Sequence, residues 1–386
     1  MAYSDDYIRL SKAYNSEKDS ISLEEGIVIE NYSFHSRSSG MLPNKEEIKQ
    51  PSGKFSLFPD NEIQENQTFR YPVVRKISGG DCSRVIILLH GLNERTWDKY
   101  LPWAKSLCLE TLHPVILFPI SFHINRSPEI WNNPRVMTML AHQRKQKNPD
   151  IRHSTFVNAA ISERLQQYPQ RFFFSGLETY FDVLHLIKTL KNKEHPVVGT
   201  SPEVDFFGYS IGALLSEILL MSNPDNKLSA SKAFLFCGGT TLDKMNGVSR
   251  FILDSKGFES IKNFFVKSDF QLNLGEQISR QVKRLKVIEP FSAMVNSRNN
   301  AGYRNQRLAD LKGRLQIYSL KNDAVIPSQA VIETFSQAGI NPQHVVRTVD
   351  FNYKYSHETP FPCLKDPNPV NKAFDRIFKK ASEFLK

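Results

Sequence analysis

Three residue types that together can split an acyl bond occur in this chain in a meaningful order: Ser210, then Asp323, then His357. A serine hydroxyl is a weak nucleophile at neutral pH, so an imidazole must take its proton as it attacks. Histidine suits that task because its unperturbed pKa, about 6.5, lies near working pH. A carboxylate beyond the ring holds the correct tautomer and stabilises the imidazolium without itself being protonated. Charge that develops on the substrate carbonyl then needs preorganised N–H donors.

The segments around these residues are of the kind that would deliver them to one place. Ser210 sits in Gly208-Tyr209-Ser210-Ile211-Gly212, a G-x-S-x-G pentapeptide. Before it, residues 204–207 (VDFF) are short and aromatic-rich, as a buried strand is, with Asp205 the one polar member. After it, Ile211, Leu214, Leu215, Ile218 and Leu219 recur at helical spacing. The pentapeptide alone is a weak signal, and its strand-turn-helix setting gives it weight. A turn that sharp tolerates only small residues where Gly208 and Gly212 stand. Residues 84–89 (RVIILL) read as a central parallel strand buried on both faces, and they run into His90-Gly91-Leu92-Asn93. Residues 315–320 (LQIYSL) lead to Asp323, and 344–351 (HVVRTVDF) lead to His357 in a polar loop. Asp243, after the strand-like 232–237 (KAFLFC), is the competing acid. A lone aspartate in such a place otherwise forms a turn or caps a helix. His90 is read as a structural tie for its loop.

The order Ser, Asp, His, each at or just after the end of an expected strand, resembles the α/β-hydrolase superfamily and differs from the orders in the chymotrypsin and subtilisin folds. The resemblance covers roughly residues 70 to 386, less two insertions, and residues 123–126 (HINR) are similar to an uncharacterised bacterial branch. It implies an α/β fold, a doubly wound, mostly parallel sheet flanked by helices. It implies Ser210 as nucleophile, His357 as base and then acid, Asp323 as the orienting acid, and the backbone N–H groups of Leu92 and Ile211 as oxyanion hole. The implied reaction is cleavage of a carboxylic ester or thioester of a small molecule through an acyl-enzyme, with no metal or organic cofactor. One rival is an acyltransferase on the same triad. Another is a non-catalytic ligand-binding protein on a hydrolase scaffold, although such a scaffold has no chemical reason to keep all three residue types.

Composition agrees. At 386 residues the chain exceeds a minimal hydrolase core, and it contains no heptad array, tandem repeat or low-complexity tract. The first ten residues (MAYSDDYIRL) have no basic and apolar signal pattern, and no run reaches the roughly 18 apolar residues of a membrane span. Cys82, Cys108, Cys237 and Cys363 are scattered, without zinc or disulfide spacing, so a cytoplasmic protein with reduced thiols is expected. The formal charge of +10 is spread widely, with clusters at 144–147 (RKQK), 188–193 (KTLKNK) and 283–286 (KRLK). None is interleaved with stacking aromatics, so a solvated basic face is expected and nucleic acid is not. Nothing in the pattern specifies an oligomeric state.

The chain reads as an N-terminal extension, 1–70, before a hydrolase domain, 71–386. Residues 69–77 are expected as an edge strand that tolerates Pro72, followed by a turn at 79–81. Insertions at about 122–174 and 241–310 are expected to shape the site, the second as a helical cap. In it, Phe258, Ile261 and Phe265 share one helical face and would either cover the acyl pocket or anchor a small subdomain. Arg126, just past a core strand, is a candidate for holding a substrate carboxylate or phosphate, with an ion pair to Glu129 or another surface acid as the alternative. Tyr209 is the other candidate substrate contact.

Overall fold

The uninterrupted apolar runs become the middle of a single sheet. The computed structural model describes residues 2–38, 60–78, 82–267 and 287–386; the 79–81 turn, the 283–286 basic cluster and the centre of the 241–310 segment lie outside the described residues. The strands among the described residues are β1 (Ser20–Ser22), β2 (Ile27–His35), β3 (Thr68–Lys76), β4 (Arg84–Leu89), β5 (Val115–Phe118), β6 (Glu203–Tyr209), β7 (Ala233–Phe236), β8 (Leu315–Leu320) and β9 (Val346–Val349). In space they lie in the order β1-β2-β3-β5-β4-β6-β7-β8-β9. Pairing is antiparallel from β1 through β3 to β5, and parallel from β5 to β9. This is the α/β-hydrolase fold.

The chain steps from β4 to β5 on one side and then to β6 on the other, with Leu89 opposite Gly208. The loops leaving β4 and β6 therefore open into the same crevice. Such a switch point is where open α/β sheets bind ligands. Side chains alternate across the sheet. Val85, Ile87, Leu89 and Phe206 join the core beneath the helices Arg171–Lys191 and Ile211–Ser222. Ile86, Leu88, Phe207 and Phe234 join the core beneath the helices Tyr100–Thr111 and Asn368–Leu385. Both faces are buried, which is why these strands read as continuous apolar runs rather than as alternating ones.

The first residues belong to this body. The helix Tyr3–Ala13 stacks Tyr3 on Phe374 with ring centroids 4.3 Å apart, and Asp6 takes a 2.8 Å ion pair from Lys105. β1 and β2 then extend the sheet, so a boundary at residue 70 falls inside β3. β3 is also no edge strand, because β2 and β5 flank it. Its pairing with β5 spans only Val73 and Val74, and Pro72 stands just beyond that ladder.

The two insertions pack on each other. The first contributes the helices Pro134–Lys147 and Ala159–Gln167, the second Ser255–Lys262. Arg144 reaches Asp254 with two hydrogen bonds of 2.7 and 2.8 Å, while the Asp254 N–H donates to Ser162 Oγ. Asp254 also caps the Ser255–Lys262 helix by accepting from the Gly257 N–H.

Candidate active site

The turn between β6 and the helix Ile211–Ser222 is a single residue, Ser210, at φ 56°, ψ −116°. A non-glycine residue there carries backbone strain of about 1–3 kcal/mol, tolerated only where its surroundings hold it. The Ser210 N–H donates to the Phe236 carbonyl at 3.1 Å, and the Ser210 carbonyl accepts from the Ala213 N–H at 3.0 Å. The flanking glycines are required by contact. A Cβ on Gly212 would lie 2.2 Å from the Leu89 carbonyl oxygen, and one on Gly208 would lie 2.7 Å from Ala213 Cα.

Loops from two other strands meet this elbow. His357 Nε2 lies 2.7 Å from Ser210 Oγ, and its Nδ1 lies 2.7 Å from Asp323 Oδ2. Asp323 Oδ1 accepts from the Val325 and Ile326 N–H groups at 2.8 Å each, which leaves Oδ2 aimed at the ring. With the carboxylate on its Nδ1 side, the imidazole donates there and turns its Nε2 lone pair towards the serine hydroxyl. Ser210 is 6% exposed, Asp323 5% and His357 3%. The competing acid, Asp243, is occupied elsewhere: it accepts from the Ser297 N–H at 3.1 Å and the Ser297 hydroxyl at 2.6 Å. Cys237 approaches Asp323 and His357 closely enough for the three to share a metal ion. Asp323 and His357 are hydrogen-bonded to each other within that grouping, and burial raises the Cys237 thiol well above its usual pKa.

The backbone N–H of Ile211, the first residue of its helix, lacks an intrahelical acceptor by position. Among the described residues neither it nor the Leu92 N–H donates to a protein acceptor. Leu92 and Ile211 both line an apolar cleft whose other walls include Leu214, Ile218, Phe265 and Phe291. Phe265 thus comes from the second insertion, whereas Phe258 and Ile261 are buried away from the cleft. A more polar cleft adjoins it, sharing Leu92, His123, Phe172 and Ser175. His90 ties the loop after β4: its Nδ1–H donates to the Gly91 carbonyl at 2.8 Å, and its Nε2 accepts from the Ile120 N–H at 2.9 Å. Burial lowers its pKa well below the usual value and keeps it neutral, as that pattern demands.

Both candidate substrate contacts are corrected by the geometry. Arg126 is fully buried. Its guanidinium meets Asp182 at 2.9 Å, Glu178 at 3.5 Å and the side chain and carbonyl of Asn66. It is a core ion pair rather than a ligand contact, and its acids come from the helix Arg171–Lys191 rather than from Glu129. Tyr209 is also buried, with its ring stacked beside His357, and its hydroxyl donates to the His357 carbonyl. It supports the histidine loop. The polar cleft instead carries His123, from the 123–126 segment, together with Arg164 and Arg171, two residues that no local pattern singled out. Charged residues on an amphipathic helix normally read as solvated, so Arg164 and Arg171 had no signal in the sequence.

A family model matches residues 1–386 in full. The chain belongs to DUF6051, a family of unknown function. No curated protein sequence matches it. Similar solved structures include carboxyl esterase 2 of Tuber melanosporum, at TM-score 0.47 and 12% identity, covering 100% of this chain and 97% of that one. A thermostable esterase of Pseudomonas putida aligns at TM-score 0.43 and 12% identity, covering 100% and 91%. A hyperthermophilic esterase of Pyrobaculum calidifontis aligns at TM-score 0.42 and 11% identity, covering 98% and 90%. At that distance nothing about a substrate passes from them to this chain.

Proposed function

We propose that this protein is a serine hydrolase of small carboxylic esters or thioesters. The single observation that carries the reading is the unbroken chain from Ser210 Oγ to His357 Nε2, and from His357 Nδ1 to Asp323 Oδ2, at 2.7 Å per link. Ser210 attacks the carbonyl carbon as its proton passes to His357, whose imidazolium Asp323 stabilises. The Leu92 and Ile211 N–H groups receive the oxyanion, a contact typically worth about 3–4 kcal/mol per donor. On collapse His357 protonates the departing alcohol or thiol. Water, deprotonated by His357, then attacks the acyl-Ser210 ester, and the carboxylic acid leaves as the serine regains its proton. The segments 122–174 and 241–310 act as a cap that walls the acyl cleft. Among the described residues no helix is long and apolar enough to cross a membrane, and the free cysteines suit a cytoplasmic setting.

The test is labelling by a fluorophosphonate probe, with a chain-length series of p-nitrophenyl esters. Wild type is expected to label and turn over esters, and Ser210→Ala to do neither. Folded wild-type protein that neither labels nor hydrolyses any ester of the series removes the proposal.

A further inference from the structure

We propose that the polar cleft beside Leu92 binds an anionic group of the substrate, a carboxylate or a phosphate, with Arg164 as the specificity-determining contact. The inference rests on the hydrolase reading above and names its substrate class: an ester with an apolar end and an anionic end.

The charge balance of the cleft points to it. Arg95, Arg164 and Arg171 all line its wall. Asp60 serves two of them at once, with Oδ1 2.8 Å from Arg164 Nη1 and Oδ2 2.9 Å from Arg171 Nε. Among the described residues Arg95 has no carboxylate partner; it donates to the Trp131, Phe156 and Val157 carbonyls and to the Asn132 side chain. Glu94, also on the wall, is held by Lys99. Positive charge therefore exceeds negative charge on a wall where Arg164 and Arg171 are buried, an imbalance that an anion would offset.

Arg164 is prepared for such a partner. Its side chain is 4% exposed. The guanidinium lies between the rings of Phe122 and Trp131, 4.7 and 4.6 Å from their centroids. Stacking of this kind holds the plane of the donor fork, the geometry that bidentate recognition of carboxylate or phosphate requires. The wall itself carries strain at Phe122, whose φ is 65°. Such conformations persist where the surroundings over-determine them, commonly at ligand sites. His123 is a second, independent sign. Its Nδ1–H donates to the Ser121 carbonyl at 2.9 Å. Its Nε2 is buried without a partner among the described residues, on the wall that the two clefts share. A molecule spanning both clefts would pass Leu92, and a hydrogen-bond donor on it would satisfy the lone pair of that nitrogen.

The experiment is calorimetric titration of wild type and Ser210→Ala with hexanoate, hexyl phosphate and 1-hexanol, which share one alkyl chain and differ in the head. At least one anion is expected to bind about tenfold or more tightly than the alcohol, as a charge-assisted contact implies. The better of the two anions identifies the head group. Arg164→Gln is expected to erase that preference and Arg164→Lys to restore part of it, each checked for folding by thermal melting. If hexanol binds as tightly as both anions, or if folded Arg164→Gln keeps the preference, the inference falls. Should Arg164→Gln not fold, the anion-to-alcohol ratio in the wild type decides alone. Anion binding that depends on Arg164 in a protein without ester turnover would remove the hydrolase reading and keep the anion site. Ester turnover without anion preference would do the reverse.

Discussion

Replacing Asp323 by asparagine tests how the histidine is oriented, because the two backbone donors on Oδ1 dictate what the new amide does. The Val325 and Ile326 N–H groups, each at 2.8 Å, keep an oxygen at that position. The amide NH2 must then face His357 Nδ1 across the 2.7 Å contact that Oδ2 occupies in the wild type. A donor facing Nδ1 makes that nitrogen an acceptor, so the ring proton moves to Nε2 and points at Ser210 Oγ. The serine loses its base while every heavy atom stays in place. For a triad acting through this tautomer the expected fall in kcat is about 10⁴-fold, or roughly 5.5 kcal/mol of transition-state stabilisation. The assay is kcat for a short p-nitrophenyl ester at pH 7–8, with thermal melting to show that the variant folds as the wild type does. Asp243→Asn serves as the comparison and is expected to leave kcat near the wild-type level, since Asp243 holds Ser297. Folded Asp323→Asn within about tenfold of wild type, or an equal loss in Asp243→Asn, would refute the tautomer argument.

Other expectations follow from the same geometry. Tyr209→Phe removes the donor to the His357 carbonyl; kcat should fall about fivefold, the scale of one neutral hydrogen bond, with KM little changed in steady-state assays. Gly212→Ala drives a Cβ to 2.2 Å from a backbone oxygen that cannot move cheaply; chemical denaturation should show a loss of about 3 kcal/mol or more. Arg144→Ala leaves Asp254 buried and unpaired between the insertions, which should cost about 3–5 kcal/mol in the same measurement. Burial raises the Glu178 carboxyl to about 7, against the opposing pull of Arg126. A folded-state pKa above the unfolded value means that its favourable contribution is complete below about pH 4.5 and is lost as pH rises through about 7. Glu178→Gln should therefore remove that part of the decline in melting temperature between pH 4.5 and 8, and an unchanged slope would show that the carboxyl is already ionised across this range.

What was legible in the sequence is what the backbone dictates locally. The Ser210 elbow depends on a strand, one strained residue, two small neighbours and a helix, all within a few covalent links, so type and spacing sufficed. The buried run 84–89 was equally plain, because a strand covered on both faces has no polar side to show. The choice between Asp323 and Asp243 was narrowed by strand order, but it is the grip of Val325 and Ile326 on one oxygen that leaves the other for His357. Residues 1–70 read as an extension because β2 pairs with a strand that begins at Thr68, across a long stretch of intervening chain. Arg126 and Arg164 show the limit most clearly. The position of Arg126 just past a core strand could be read but its partners could not, and nothing pointed to Arg164 at all. Asp182 is 56 residues from Arg126 in the chain, and Asp60 reaches Arg164 from another element altogether. Periodicity reports which side of a helix or strand is apolar. Which charge is buried against which depends on how separate elements dock, and that is decided only when the chain is folded.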